Sequence, residues 1–254
     1  MKLIPECDRE KLIELDHSSI GGFVKALGLI WSPGDDEFRF IANPSENTAT
    51  KRRVLSEIGK IFDSLGLSSL IIIKAKLLMQ QLCLDKLCWD EKLQGTLLTD
   101  WQQYQDALPR VREFRIPRYI FCIGYAAFDL HGFCDASVVA YGAVVYVRSL
   151  FHDGTAQLRI LCSKSKVAPI KPLNIHRKEL LAARLLSKLI LKVVDALKLS
   201  FQSIVLWSDS QVVLAWLKKP LDTLQVYVRN RIADISKVTV FHGIMFAPRT
   251  IRPI

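Results

Sequence analysis

Apolar and polar positions alternate with different periods along the chain, and the period changes near residue 118. Gly28-Leu29-Ile30-Trp31, Ser32-Pro33-Gly34-Asp35 and Phe38-Arg39-Phe40-Ile41 read as strand, turn and strand. Thr48 or Thr50 is placed to cap a helix in which Val54, Leu55, Ile58, Ile61, Phe62 and Leu65 share a face, with Gly66 as its terminator. Two further helices are predicted at about 70–87 and 96–108. Pro109 and Pro117 bracket an Arg-rich link.

Beyond the link, Phe128–Cys134, Ala140–Val147 and Gln157–Ser163 read as three strands, the last two joined by a turn at His152-Asp153-Gly154. Their short connections predict an antiparallel meander. A long helix follows over about Ile175–Leu197, then the apolar run Ile204-Val205-Leu206-Trp207. Such a run after a helical crossover predicts a buried strand parallel to an earlier one. Ser210 is placed to cap a helix over Gln211–Leu217, and another helix is expected over about Leu224–Ile235. The order is β-β-β-α-β-α-α, an α/β arrangement behind a mostly helical α+β segment.

Charge sharpens this division. Residues 1–117 carry 16 Lys/Arg against 17 Asp/Glu, whereas residues 118–254 carry 19 against 8, so the chain's net +10 lies wholly in the second part. That asymmetry sets the expected boundary at 117/118 and makes the second part a candidate for binding a polyanion. The six cysteines form no Cys-x-x-Cys pair and no zinc-like spacing, so free thiols in a reducing compartment are expected. No signal-peptide pattern opens the chain, and Lys74 and Lys76 interrupt the most apolar stretch, Leu65–Leu84. A soluble intracellular protein, cytoplasmic or nuclear, with no membrane partner is the expectation.

Three acids of the basic part occupy positions that packing does not explain. Asp135 ends the first strand of the meander, Asp209 ends the buried strand, and Glu179 shares a helix face with Ala182, Ala183, Leu186, Ile190, Val193 and Leu197. A carboxylate on that apolar face needs a proton, a partner or a metal. Taken singly, Asp209 suits a helix N-terminus, Asp135 suits a turn, and Glu179 could pair with Arg177 or Arg184. Taken together, neighbouring strands would bring both aspartates to one sheet edge within reach of the glutamate. Clustered carboxylates repel unless cations neutralise them, and an all-oxygen set suits Mg²⁺ or Mn²⁺. A pair of such ions would serve phosphodiester hydrolysis.

Several motifs resemble one family. His131-Gly132-Phe133-Cys134-Asp135-Ala136-Ser137 with Ala140-Tyr141-Gly142-Ala143-Val144-Val145-Tyr146 resembles the first hairpin of ribonuclease H domains in BEL/Pao retrotransposon Pol polyproteins. So do Lys166-Val167-Ala168-Pro169, Arg177-Lys178-Glu179-Leu180-Leu181-Ala182-Ala183, and Trp207-Ser208-Asp209-Ser210 with Val213-Leu214-Ala215-Trp216-Leu217. Lys25–Trp31, Lys51–Ile58 and Lys74–Gln81 are similar to the segment that follows the polymerase palm in these elements, a thumb- or connection-like region. The resemblance runs in order to about Val240. It implies a ribonuclease H-like mixed sheet, RNA–DNA hybrid and the rest of the Pol polyprotein as partners, and Asp135, Glu179 and Asp209 as the first three of four metal-binding acids.

Three absences qualify what the resemblance implies. The aromatic-x-Asp-Asp polymerase signature is missing, because Asp35-Asp36 lies in a turn, so polymerisation by this chain is not expected. No Asp-Thr-Gly or Asp-Ser-Gly occurs, so proteolysis has no residue behind it either. Residues 243–254, where the family supplies its fourth acid, hold no carboxylate. A domain truncated at its C-terminus, without its last strand and helix and with one sheet edge exposed, is therefore expected. Three readings follow: hydrolysis of RNA in hybrids, a catalytically inactive nucleic-acid-binding remnant, or a structural piece of the polymerase.

Overall fold

The computed structural model describes residues 24–26, 29–40, 48–61, 63–122, 124–242 and 245–248. In the first part, β1 (Val24–Ala26), β2 (Leu29–Ser32) and β3 (Glu37–Arg39) precede the helices α1 (Lys51–Lys60), α2 (Ser69–Leu84) and α3 (Gly95–Ala107). A 3₁₀ turn over Leu108–Glu113 leads to β4 (Ile116–Pro117). The expected strand–turn–strand is present, with Trp31 opposite Phe38 and Ser32 opposite Glu37. Gly28 and Ile41 of that reading lie outside the described residues. Asp36 turns the chain in a left-handed conformation and accepts a hydrogen bond from Trp31 Nε1 at 3.0 Å.

The stretch between the two prolines is more than a link, because its end pairs antiparallel with β3 as β4. Thr50 is the cap of α1, its Oγ1 accepting from the Arg53 N–H at 3.2 Å. The helix stops at Lys60, however, so Gly66 does not terminate it. Its buried side is also rotated from the expected one. Val54 is buried while Leu55 is 46% exposed, and Phe62 lies outside the described residues. Buried Glu57 explains the rotation in part: it sits inside and pairs with Arg53 and Lys60 at 3.0 and 2.9 Å.

The second part is built from β5 (Tyr125–Ala136), β6 (Ala140–Phe151), β7 (Ala156–Val167), α4 (Ile175–Leu197), β8 (Ser203–Ser208), α5 (Gln211–Lys218), α6 (Val226–His242) and β9 (Met245–Pro248). The sheet order is β7-β6-β5-β8-β9. β5, β6 and β7 form the antiparallel meander, and β8 runs parallel to β5 as its uninterrupted apolar run predicts. The expected loss of the last strand is corrected by β9, which pairs parallel with β8 from Val205–Met245 to Ser208–Pro248. α6 is also longer than expected and takes in Val238–His242.

α4 starts at Asn174, whose side chain accepts from the Arg177 N–H at 2.9 Å. Ala182, Ala183, Leu186 and Ile190 are fully buried against the sheet, as the periodicity predicts. Gly132 permits this close approach. A methyl built on it would lie 2.7 Å from Leu186 Cδ1 and 2.9 Å from Leu206 Cδ2.

The outer edge of β7 is covered by the first part of the chain. The Ser163 N–H donates to the Leu65 carbonyl at 2.8 Å, and Ser163 Oγ meets the Gly66 carbonyl oxygen and Ser69 Oγ at 2.5 and 3.0 Å. Further along, Gln80 Nε2 donates to the Ala168 carbonyl at 3.0 Å, so α2 follows the strand. An unpaired strand edge invites pairing with other chains, and a covering helix removes that hazard. Among the described residues no helix is long and apolar enough to cross a membrane. Cys83, Cys88, Cys122, Cys134 and Cys162 are free thiols; Cys7 lies outside the described residues.

Candidate nucleic-acid interface and its acidic edge

The parallel pairing of β5 and β8 decides where the two aspartates go. Cys134 lies opposite Ser208, so Asp135, near the end of β5, and Asp209, just past β8, stand at the same end of neighbouring strands. Both are exposed. Asp135 Oδ1 accepts from the Ala136 N–H at 2.6 Å. Glu179 enters from α4 and is only 20% exposed. Its Oε2 accepts from Ser210 Oγ at 2.6 Å and lies 3.2 Å from His176 Nδ1.

The buried Cys134 thiol senses all three acids. It is raised to about 12, chiefly by burial, with the Ser208 hydroxyl pulling it down and Asp209, Asp135 and Glu179 adding to the rise. Asp135 and Asp209 thus stand at one end of neighbouring strands, and Glu179 reaches the residue after Asp209 through Ser210.

Neither arginine considered for Glu179 takes that role. Arg184 binds Asp234 through Nε at 2.8 Å and Nη2 at 2.5 Å, while Arg177 lies over the Tyr227 ring and reaches Gln225 Oε1 at 3.4 Å. The actual partners come from the chain just beyond Asp209 and from one turn earlier on α4. Ser210 links both aspects, because its Oγ also accepts from the Val213 N–H at 3.2 Å and so caps α5. Ser210→Ala is expected to lower the unfolding free energy by about 1–2 kcal/mol through loss of the cap and of a charge-assisted hydrogen bond. Urea melts check this, and an unchanged midpoint would contradict it.

Three carboxylates supply hard oxygen donors. Yet among the described residues no group of three or more His, Cys, Asp or Glu side chains is arranged to hold a metal ion. The present arrangement does not fit the ion, with Glu179 engaged by a hydroxyl and an imidazole. β9 brings the chain out of the sheet beside β8, and the next residue in sequence is Arg249.

One acid, Asp129, went unnoticed in the sequence. Asp129 is almost fully buried in β5, accepting from Ser203 Oγ at 2.8 Å and Arg148 Nη1 at 3.3 Å. Asp234 pairs with Arg184. Asp129 sits inside an apolar strand, and that position was the available signal. A cleft of about 330 Å³ adjoins the acidic edge, with Asn174, His176, Arg177, Trp216, Lys219 and Gln225 among its lining residues. A larger one of about 390 Å³ lies between α2 and α3, where Lys74, Gln81, Asp100 and Tyr104 line it, away from the acids.

A five-stranded mixed sheet in this order, with α4 laid across it and acids at the ends of two parallel neighbours, defines a ribonuclease H-like domain. The first part adds a helical and β segment in front of it. The profile of the Pao retrotransposon-like RNaseH-like domain matches residues 50–210. That is more than half of the chain, and the protein belongs to this family.

The fold is shared with two solved structures. One, a foamy viral protease-reverse transcriptase dRH in complex with ds DNA, is 15% identical over 91% of this chain and 38% of its own, with a TM-score of 0.54. Another, a foamy viral protease-reverse transcriptase in complex with dsDNA, is 14% identical over 91% of this chain and 46% of its own, with a TM-score of 0.51. At such identities the likeness is one of fold, and this chain spans less than half the length of either protein. No curated protein matches it.

Proposed function

We propose that this chain is a nucleic-acid-binding, ribonuclease H-like module of a retrotransposon Pol protein that holds RNA–DNA hybrid without cleaving it. The observation that carries this is the acidic edge itself. Its two aspartates stand at one end of neighbouring strands and Glu179 reaches Ser210, but among the described residues no three acids form a cation-holding group, while residues 118–254 carry 19 Lys/Arg against 8 Asp/Glu. A surplus of cations binds phosphate backbones irrespective of turnover, chiefly by releasing counterions. The fold shared with reverse transcriptases that were solved on double-stranded DNA supports the same choice of partner. In this reading residues 118–254 form the binding domain and residues 1–117 are a thumb- or connection-like segment that works with the rest of the Pol polyprotein, in the cytoplasm or nucleus.

The convergence of Asp135, Glu179 and Asp209 favours a second reading. There the three carboxylates hold Mg²⁺ or Mn²⁺ once substrate is bound, and the chain hydrolyses the RNA strand of a hybrid. Incubating the purified chain with labelled RNA–DNA hybrid in Mg²⁺ and then Mn²⁺, beside Asp135→Asn, separates the two. The expected result is no cleavage by either protein. Metal-dependent cleavage that disappears in Asp135→Asn would establish the hydrolytic reading instead.

A further inference from the structure

α4 and α6 pack along each other, and the groove between them carries charge that the acidic edge does not use. From α4 come Arg177 and Arg184, seven residues apart and therefore on one face. From α6 come Tyr227 and Arg231, one turn apart. The Tyr227 ring is held between two guanidinium groups, Arg231 at 3.5 Å and Arg177 at 4.9 Å from its centroid. Cation–π contact lets like charges share one ring.

Arg231 Nη1 donates to the Tyr227 carbonyl at 2.9 Å, and Arg231 Nε and the Tyr227 hydroxyl are buried with no hydrogen-bond partner among the described residues. A guanidinium offers five N–H donors in a planar fork.

The cluster continues onto the sheet. Burial raises the Tyr141 phenol above its ordinary value, Tyr227 raises it further, and Arg184 and Arg231 lower it, so these groups lie within electrostatic reach of one another. Directly across from Tyr141 in the β6–β7 pairing stands the exposed Lys166. Lys166, Arg177, Arg184 and Arg231 are the cations around this groove, and among the described residues Arg184 alone of the four pairs with a carboxylate, Asp234. Arg177 also lines the cleft beside the acidic edge.

We propose that the α4–α6 groove, from Arg177 through Arg231 to Lys166, is a phosphodiester-backbone contact that extends the nucleic-acid interface beyond the acidic edge. This rests on the nucleic-acid-binding reading above. A polymer fits better than a small anion because the cations are spread over two helices and a strand, and Arg177 also lines the cleft beside the acidic edge. Arginine forks match phosphate oxygens bidentately, and backbone contacts of this kind are indifferent to base sequence.

The test uses the whole chain and a labelled RNA–DNA hybrid, with affinity measured across a series of KCl concentrations. Each lost phosphate contact lowers the slope of log affinity against log salt by about one. Lys166→Gln is expected to lose about one unit, and Arg177→Gln/Arg231→Gln about two, with affinity about tenfold weaker at low salt for hybrids of any sequence. Lys192→Gln, an exposed position farther along α4, is expected to keep the slope of the unaltered chain. Lys166 stands on an exposed strand position, so its variant tests the groove without disturbing the Tyr227 stack. Unchanged slopes in Lys166→Gln and in the double variant overturn the groove alone. Failure of the unaltered chain to bind hybrid overturns the functional reading, and the groove with it.

Discussion

Replacing Gly66 with alanine is expected to lower the unfolding free energy by about 3 kcal/mol and to free the edge of β7 from the helical segment. Gly66 has φ +74°, which costs an alanine about 1 kcal/mol or more. A Cβ there would also lie 1.8 Å from the Ser163 carbonyl oxygen, a backbone atom that cannot rotate away. The loop must therefore withdraw, adding about 1–3 kcal/mol of displacement. It would take with it the Ser163 N–H bond to Leu65 and the Ser163 hydroxyl contacts. Urea denaturation gives the energy, and faster amide exchange at Ser163 locates the change. A melt like that of the unaltered chain, with Ser163 still protected, would show that α2 does not seal this edge. These contacts couple the first part of the chain to the sheet of the second.

The second large effect concerns the centre of the sheet. Leu206 is fully buried on β8, and Leu206→Ala is expected to cost about 2–5 kcal/mol through lost burial and the cavity left behind. Gly132→Ala on the neighbouring strand is expected to cost about 1–3 kcal/mol for the opposite reason, because its methyl would press on Leu206 and Leu186 at 2.9 and 2.7 Å. The two faults share one space. In the double variant the added methyl occupies part of the cavity, so the combined loss should fall below the sum of the single losses by about 1 kcal/mol. Strict additivity in urea melts would contradict this packing.

Much of the binding domain was legible because local and tertiary preferences agree there. α4 has a capping Asn174 and an uninterrupted apolar face, and β8 has four apolar residues in a row between polar ends. Those features required the crossover that places β8 parallel to β5, and hence Asp135 and Asp209 at one edge. Pieces made by tertiary pairing were not legible. β4 is two residues long and exists through β3, while β9 is short and ends in Pro248. Its pattern alone does not separate it from a tail.

The acidic site was half legible for a similar reason. Topology brought the acids together, but the partners of Glu179 depend on side-chain reach. Arg184 lies at a helical spacing that allows several neighbours, and α6 supplied Asp234. The serine that holds Glu179 was read as a helix cap, which it also is. Rotation of α1 was missed because Glu57 occupies an inward position that hydrophobic periodicity assigns to an apolar residue.

If the basic domain holds nucleic acid by its cations and independently of a metal, the purified chain binds labelled RNA–DNA hybrid in EDTA. That affinity is expected to weaken by about a hundredfold or more from low to physiological salt, as several neutralised phosphates require. No binding in EDTA, or binding with little dependence on salt, would contradict it.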